Sequence, residues 1–149
     1  MFILKSEVQF DMAHFLSGYE GKCANIHGHR YRLIAKIESA TLHQEGQLRG
    51  MVDDFGTIKG ALKEVGDYFD HKLILEDNED GRSVGECLNE LPNAFQIIYL
   101  PYRTTAEEMS RHIYHMLREK GLQVSEVELF ETPTNSCIYR EDEGESKYE

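Results

Sequence analysis

Two long runs of strict alternation, residues 2–14 and 27–38, constrain this chain more than any other feature. In FILKSEVQFDMAH, Phe2, Leu4, Val8, Phe10 and Met12 fall on one face, and Lys5, Glu7, Gln9 and Asp11 on the other. A period of two with one apolar side describes a half-buried strand, and His14 continues the apolar side. In the second run Tyr31, Leu33, Ala35 and Ile37 form the apolar face, with Arg30, Arg32, Lys36 and Glu38 mostly opposite. His27 and His29 share the parity of Tyr31, so they too point inward. Residues 15–26, glycine-containing and polar, read as the connecting loop.

From Asp54 the period lengthens. Phe55, Ile58, Leu62, Val65 and Phe69 recur at helical spacing, with Asp54 placed to cap the helix. AFQIIYL at 94–100 reads as a short strand. Thr104 or Thr105 opens a second helix with Met109, Ile113, Met116 and Leu117 as its buried stripe, closed by Gly121. Residues 123–131 alternate again, with Val127, Leu129 and Glu131 on one face. TPTNS turns the chain into a last strand that includes Cys137–Arg140. The order β-β-α-β-α-β-β predicts an α+β fold in a single domain spanning residues 1–149.

The net charge of −11 removes one class of function, because binding a phosphate backbone needs a basic face. Two acidic stretches, EDNED at 76–80 and EDEGESKYE at 141–149, read as a solvated loop and a flexible tail. The apolar runs are too short to span a bilayer, and the alternating amino terminus is not a signal peptide, which makes the cytoplasm the expected location. Cys23, Cys87 and Cys137 make an odd count without framework spacing and read as free thiols.

The chemistry concentrates at the inward histidines. If the first two strands pair antiparallel, His14 approaches His27 and His29. Imidazoles converging from two strands suit zinc with an open fourth position. Cys23, four residues before His27, has two readings. As a fourth ligand it closes a structural centre; as a non-ligand it is a base or nucleophile beside the metal. Asp70-His71 after the first helix can form an acid–base pair. Glu131 sits at an apolar-face position, where a carboxylate needs a partner such as an amidine-like edge. Thr104 with Glu107, and Thr105 with Glu108, both fit a capping box. Among the remaining histidines, His43 has no assigned role, and His112 and His115 fall off the second helix's apolar stripe and are expected in water.

FDMAH, KCANIHGHRY, GMVDDFGTIK, FDHKLI, TTAEEMSRHIY and ETPTNSCIYR, in this order, resemble the 6-pyruvoyltetrahydropterin synthase family over nearly the whole chain, and most closely its bacterial 6-carboxytetrahydropterin synthase branch. The resemblance implies His14, His27 and His29 as zinc ligands and Cys23, Asp70 and His71 as catalytic residues. It implies Glu131 as the anchor of a pterin ring, with Thr105 and Glu107 lining the same pocket. It further implies a tunnelling fold: an antiparallel four-stranded sheet with two main helices on one face. Trimers of that unit close a twelve-stranded barrel, and two trimers stack into a homohexamer with active sites between subunits. The implied substrate is a pterin triphosphate, processed by a lyase of queuosine biosynthesis. Lys22, Arg30, Arg32 and Lys72 are candidate phosphate contacts by charge alone. The chain departs from the family in having Thr104-Thr105 where many members have Pro-Thr, and in a longer segment at 76–93.

Overall fold

A computed structural model describes residues 1–93 and 95–142. In chain order the elements are β1 (Phe2–His14), β2 (His27–Ser39), α1 (Phe55–Phe69), β3 (Lys72–Glu76), α2 (Glu79–Asn89), β4 (Ile97–Leu100), α3 (Ala106–Glu119), β5 (Glu126–Thr132) and β6 (Asn135–Tyr139). A single 3-10 turn, Lys22–Ala24, lies in the loop between the first two strands.

Alternation governs the centre of the sheet. β1 and β2 pair antiparallel along their full length, from Phe2 opposite Ser39 to His14 opposite His27. β5 adds to β2 and β6 to β5, both antiparallel. The inward side chains Phe10, Met12, Tyr31, Leu33, Val127 and Leu129 are buried against Ile58, Leu62, Val65 and Phe69 of α1 and Met109, Ile113 and Leu117 of α3. Removing these chains from water supplies the main driving force, about 1.5–3 kcal/mol for each fully buried large side chain.

Both expected helices begin on the predicted signals, and α3 also ends on its predicted glycine. The Asp54 side chain accepts from the Gly56 amide at 2.7 Å, and Thr105 Oγ1 accepts from the Glu108 amide at 3.2 Å. Gly121, at φ +87°, ends α3 in a Schellman arrangement: its amide donates to Arg118 and that of Leu122 to Leu117.

The α+β class holds, but the four-stranded antiparallel sheet becomes six strands in the order β4-β3-β1-β2-β5-β6. β3 lies parallel to β1, and β4 parallel to β3. Parallel neighbours need a long crossover, and α2 provides one. The acidic run at 76–80 is therefore no solvated loop. Its Asn78 accepts from the Gly81 amide at 2.8 Å, and Glu79 and Asp80 occupy the first turn, where the helix dipole favours negative charge. The expected strand at 94–100 begins at Ile97, and Ala94 falls outside the described residues. Of the tail, residues 143–149 also fall outside them. Glu141 is held by Tyr139 and by His115, each at 2.9 Å.

Two glycines explain how α2 fits. A Cβ on Gly81 would lie 1.9 Å from the Glu76 carbonyl oxygen, and one on Gly85 would lie 1.8 Å from the Tyr99 hydroxyl. The first neighbour is backbone and cannot step aside. Gly81→Ala is thus expected to destabilise the protein by about 1–3 kcal/mol, as overpacking does. Urea denaturation checks this, and a variant as stable as the parent would mean that α2 does not pack this closely on β3.

Candidate metal centre and active site

The β1–β2 register brings the three inward histidines together at one end of the hairpin. His14 faces His27 directly, and His29 follows opposite Met12. Their ring centroids lie 4.7–5.3 Å apart. One nitrogen of each imidazole comes within 4.8 Å of the others, so the set could hold a metal ion. His14 is 1% exposed, while His27 and His29 are half-buried.

Hydrogen bonds orient the rings. His14 Nδ1 sits 2.9 Å from the Thr104 carbonyl oxygen and 3.0 Å from Thr104 Oγ1. His27 Nδ1 sits 2.6 Å from the Asn25 carbonyl oxygen. A carbonyl only accepts, so each Nδ1 carries the proton and each Nε2 is left with a lone pair. The Nε2 atoms of His14, His27 and His29 are all buried without a hydrogen-bond partner among the described residues. Two oriented lone pairs and the His29 Nε2 thus converge, buried and without hydrogen bonds, and such a donor set fits a divalent metal with an open position.

Electrostatics support neutral imidazoles. Burial, with the neighbouring His27, pushes His14 down to about 4 from an ordinary 6.5, although its bond to Thr104 acts in the opposite sense. Burial also lowers His29, against the pull of Glu131. Between pH 6.5 and 4 the unfolded chain therefore binds more protons at His14 than the folded one. Stability of metal-free protein should fall as pH drops through that window, by on the order of 3 kcal/mol from His14. Denaturant titrations at pH 7.5 and 4.5 measure it, and a His14→Gln variant should show a shallower slope. An unchanged slope would remove His14 as the cause.

Glu131 joins the same site within one chain, its Oε1 3.5 Å from His29 Nε2. Glu131 follows Phe130, which pairs with Arg32, the residue after Tyr31, and the Glu131 charge acts on Tyr31. Tyr31 is fully buried and braced face to face on Phe10 at 5.5 Å, and it meets the edges of the His14 and His29 rings. Burial, reinforced by the Glu131 charge, raises its ionisation far above the ordinary value, so it stays a neutral phenol.

Cys23 lies on the 3-10 turn, half-buried, its carbonyl accepting from the Leu16 amide at 2.8 Å. Its sulfur does not share the mutual spacing of the three histidine nitrogens. Asp70 and His71 lie elsewhere. The Asp11 amide donates to Asp70 Oδ1 at 2.9 Å, and His71 Nδ1 lies 2.8 Å from Asp70 Oδ2. The Asp11 side chain belongs to the face of β1 opposite His14. The Asp11 amide, followed by His71 and Arg30, holds Asp70 below the usual carboxylate range. His71 has φ +59°, rare for a residue with a side chain, and such backbone strain clusters at functional sites. It borders a cavity of about 680 Å³ that His29, Ile26, Leu88 and Phe95 also line.

Some expectations change. Thr104, read as a cap, is fully buried and spends its hydroxyl on His14, so only Thr105 caps α3. Glu107 is exposed, and Glu108 pairs with Arg111 at 2.7 Å. His112, expected in water, is half-buried against Phe69 and hydrogen-bonded to the Tyr102 hydroxyl, and burial lowers its pKa. Among the basic candidates, Arg30 is engaged with Asp11 and Gln9, and Lys72 with the Asp67 and Tyr68 carbonyls. Arg32 pairs with Glu7 at 3.6 Å and covers the Phe130 ring. Lys22 is exposed beside Cys23. The sequence carried no local signal for Thr104 or Arg103, whose partners His14 and Ser17 lie 90 and 86 positions away.

The chain is 40% identical over 144 residues to the 6-carboxy-5,6,7,8-tetrahydropterin synthase of Haemophilus influenzae, covering 95% of this chain and 100% of that protein. It is 33% identical over 129 residues to the protein of the same name from Aquifex aeolicus, covering 81% and 77% of the two chains. The fold recurs in the 6-pyruvoyltetrahydropterin synthase of Plasmodium vivax at a TM-score of 0.63 and 21% identity, over 95% of this chain and 99% of that one. The family described as 6-pyruvoyl tetrahydropterin synthase matches residues 3–142, and the chain belongs to that family.

Proposed function

We propose that the protein is a zinc-dependent lyase that converts 7,8-dihydroneopterin triphosphate into 6-carboxy-5,6,7,8-tetrahydropterin, releasing acetaldehyde and triphosphate. The single observation that carries the chemistry is the convergence of three buried, unpartnered imidazole nitrogens beside a half-buried carboxylate. The product is inferred from the names of the relatives, and the proposal extends to a role in queuosine biosynthesis in the cytoplasm.

In this reading His14, His27 and His29 hold zinc. When bound, the metal supplies Lewis acidity that makes the substrate's side-chain hydroxyls and adjacent C–H bonds easier to deprotonate. The Cys23 thiolate takes a proton from that side chain. Its separation from the three-nitrogen set favours this role over that of a fourth ligand. Asp70 orients His71 through Nδ1, leaving Nε2 to move a proton on the opposite side of the substrate. Glu131 grips the aminopyrimidine edge through two parallel hydrogen bonds and fixes the reacting carbon. Thr105 and Glu107, at the start of α3, line the pterin pocket.

The Asp70–His71 pair groups with the Asp11 carboxylate and not with the three imidazoles, which favours a site completed between subunits. The assembly proposed is a homohexamer, a dimer of trimers in which each trimer closes a twelve-stranded barrel. Sedimentation analysis tests it, and a monomer with full activity would contradict the shared site.

Incubation of zinc-loaded protein with 7,8-dihydroneopterin triphosphate tests the reaction, read by product mass and acetaldehyde release. Formation of 6-pyruvoyltetrahydropterin without acetaldehyde would assign the alternative product. No turnover would leave a zinc-stabilised binding module.

A further inference from the structure

Residues 15–26 carry Cys23 from β1 to β2. Within this loop the Leu16 amide donates to the Cys23 carbonyl at 2.8 Å, so the position of Leu16 and its neighbour Ser17 sets that of the cysteine turn. The hydrogen bonds that fasten the loop to more distant described segments all end on Ser17. Arg103 donates to the Ser17 carbonyl twice, from Nε at 3.1 Å and from Nη2 at 2.6 Å. On its other side Ser17 Oγ donates to Asp80 Oδ2 at 2.6 Å and accepts from Asn78 Nδ2 at 3.2 Å, both at the start of α2. Gly18, in the left-handed region at φ +74°, turns the chain beside the guanidinium; a Cβ there would lie 3.5 Å from Arg103 Nη2.

The next residue along, Thr104, holds the His14 imidazole through both its carbonyl and its hydroxyl. One dipeptide at the entry to α3 therefore grips the loop of the thiol with one residue and a metal-site histidine with the other. The separation of sulfur and metal then depends on a short, hydrogen-bonded stretch of backbone and not on the flexibility of a twelve-residue loop. A guanidinium suits the task, because its planar fork fixes direction as well as distance.

We infer that Arg103 is a positioning residue, which, with Ser17 and the α2 start, sets the Cys23 thiol against the histidine triad. The role rests on the proposed chemistry of Cys23. Misplacing a reacting group by about 1 Å can cost on the order of 10²-fold in rate.

The test uses full-length, zinc-loaded Arg103→Ala and Arg103→Lys. Four quantities are measured: kcat and KM with 7,8-dihydroneopterin triphosphate, bound metal, and the rate at which iodoacetamide alkylates Cys23, resolved by peptide mass spectrometry. Expected for Arg103→Ala are a kcat lower by about 10- to 100-fold, a KM within about 3-fold of the parent, unchanged metal, and faster alkylation of Cys23. Lysine keeps one donor and should fall between the two. Parental kcat and alkylation in Arg103→Ala would overturn the inference, as would loss of metal in step with activity. If the alanine variant does not fold, the lysine variant decides on the same two readouts. Cys23→Ala run alongside separates the failures. If it still turns over, the thiol chemistry is wrong and this role falls with it. If it is inactive while Arg103→Ala matches the parent, only the positioning inference falls.

Discussion

Cys23→Ala is expected to lower turnover by about 10²–10⁴-fold, the range for removing a group that moves a proton in the transition state, while bound metal and thermal stability stay at parental values. The reasons are geometric. The sulfur stands apart from the mutual spacing of the three histidine nitrogens, so its loss removes no ligand. The residue is half-buried on a single 3-10 turn, and the turn's own hydrogen bonds run through backbone groups that alanine retains. A thiol in a structural centre behaves in the opposite way: its removal releases the metal and lowers stability, because metal binding there is folding energy. Metal content by mass spectrometry and a melting curve on the same sample decide between them. Metal loss on Cys23→Ala would put the sulfur in the coordination shell and end its role as a base.

His27→Ala is expected to reduce bound metal to background after dialysis and to abolish activity with it. His27 supplies one of three donors, and its tautomer is set by the Asn25 carbonyl, so alanine removes an oriented lone pair and nothing in the described residues replaces it. A ligand that binds only the folded state stabilises it by RT ln(1 + [L]/Kd), about 4 kcal/mol at a thousandfold excess over Kd. The variant's melting temperature should therefore fall to near that of chelator-treated parent protein, and chelator should leave the variant itself unmoved. If His27→Ala retains stoichiometric metal, the histidine triad is not the metal centre.

The histidine triad was legible because strands have a period of two. Once residues 2–14 and 27–38 alternate, the parity of His14, His27 and His29 follows, and an antiparallel pair brings them to one end. Glu131 was legible on the same grounds, and it lies beside His29. The helix at 79–89 was hidden because its signals conflict. Gly81 and Gly85 lower helix propensity by roughly 1 kcal/mol each, Val84 and Leu88 give only a thin apolar stripe, and the flanking acids read as solvated. The glycines are there for close packing against β3 and β4, which no local pattern reveals. His112 misled for a related reason: it lies beside the apolar stripe of α3, yet Phe69 and Tyr102 arrive from other segments to cover it.

By itself the sequence determined the α+β class, the start of α1, both ends of α3, the two long central strands and the convergence of three imidazoles. These follow from short-range rules: side-chain periodicity, capping chemistry and the steric freedom of glycine. Tertiary structure alone decided the six-stranded mixed sheet, the α2 crossover, and the grip of Arg103 and Thr104 on Ser17 and His14. Those contacts join positions 86 to 90 residues apart. A hydrogen bond between such positions leaves no periodic trace, because its partners become neighbours only after the core has closed.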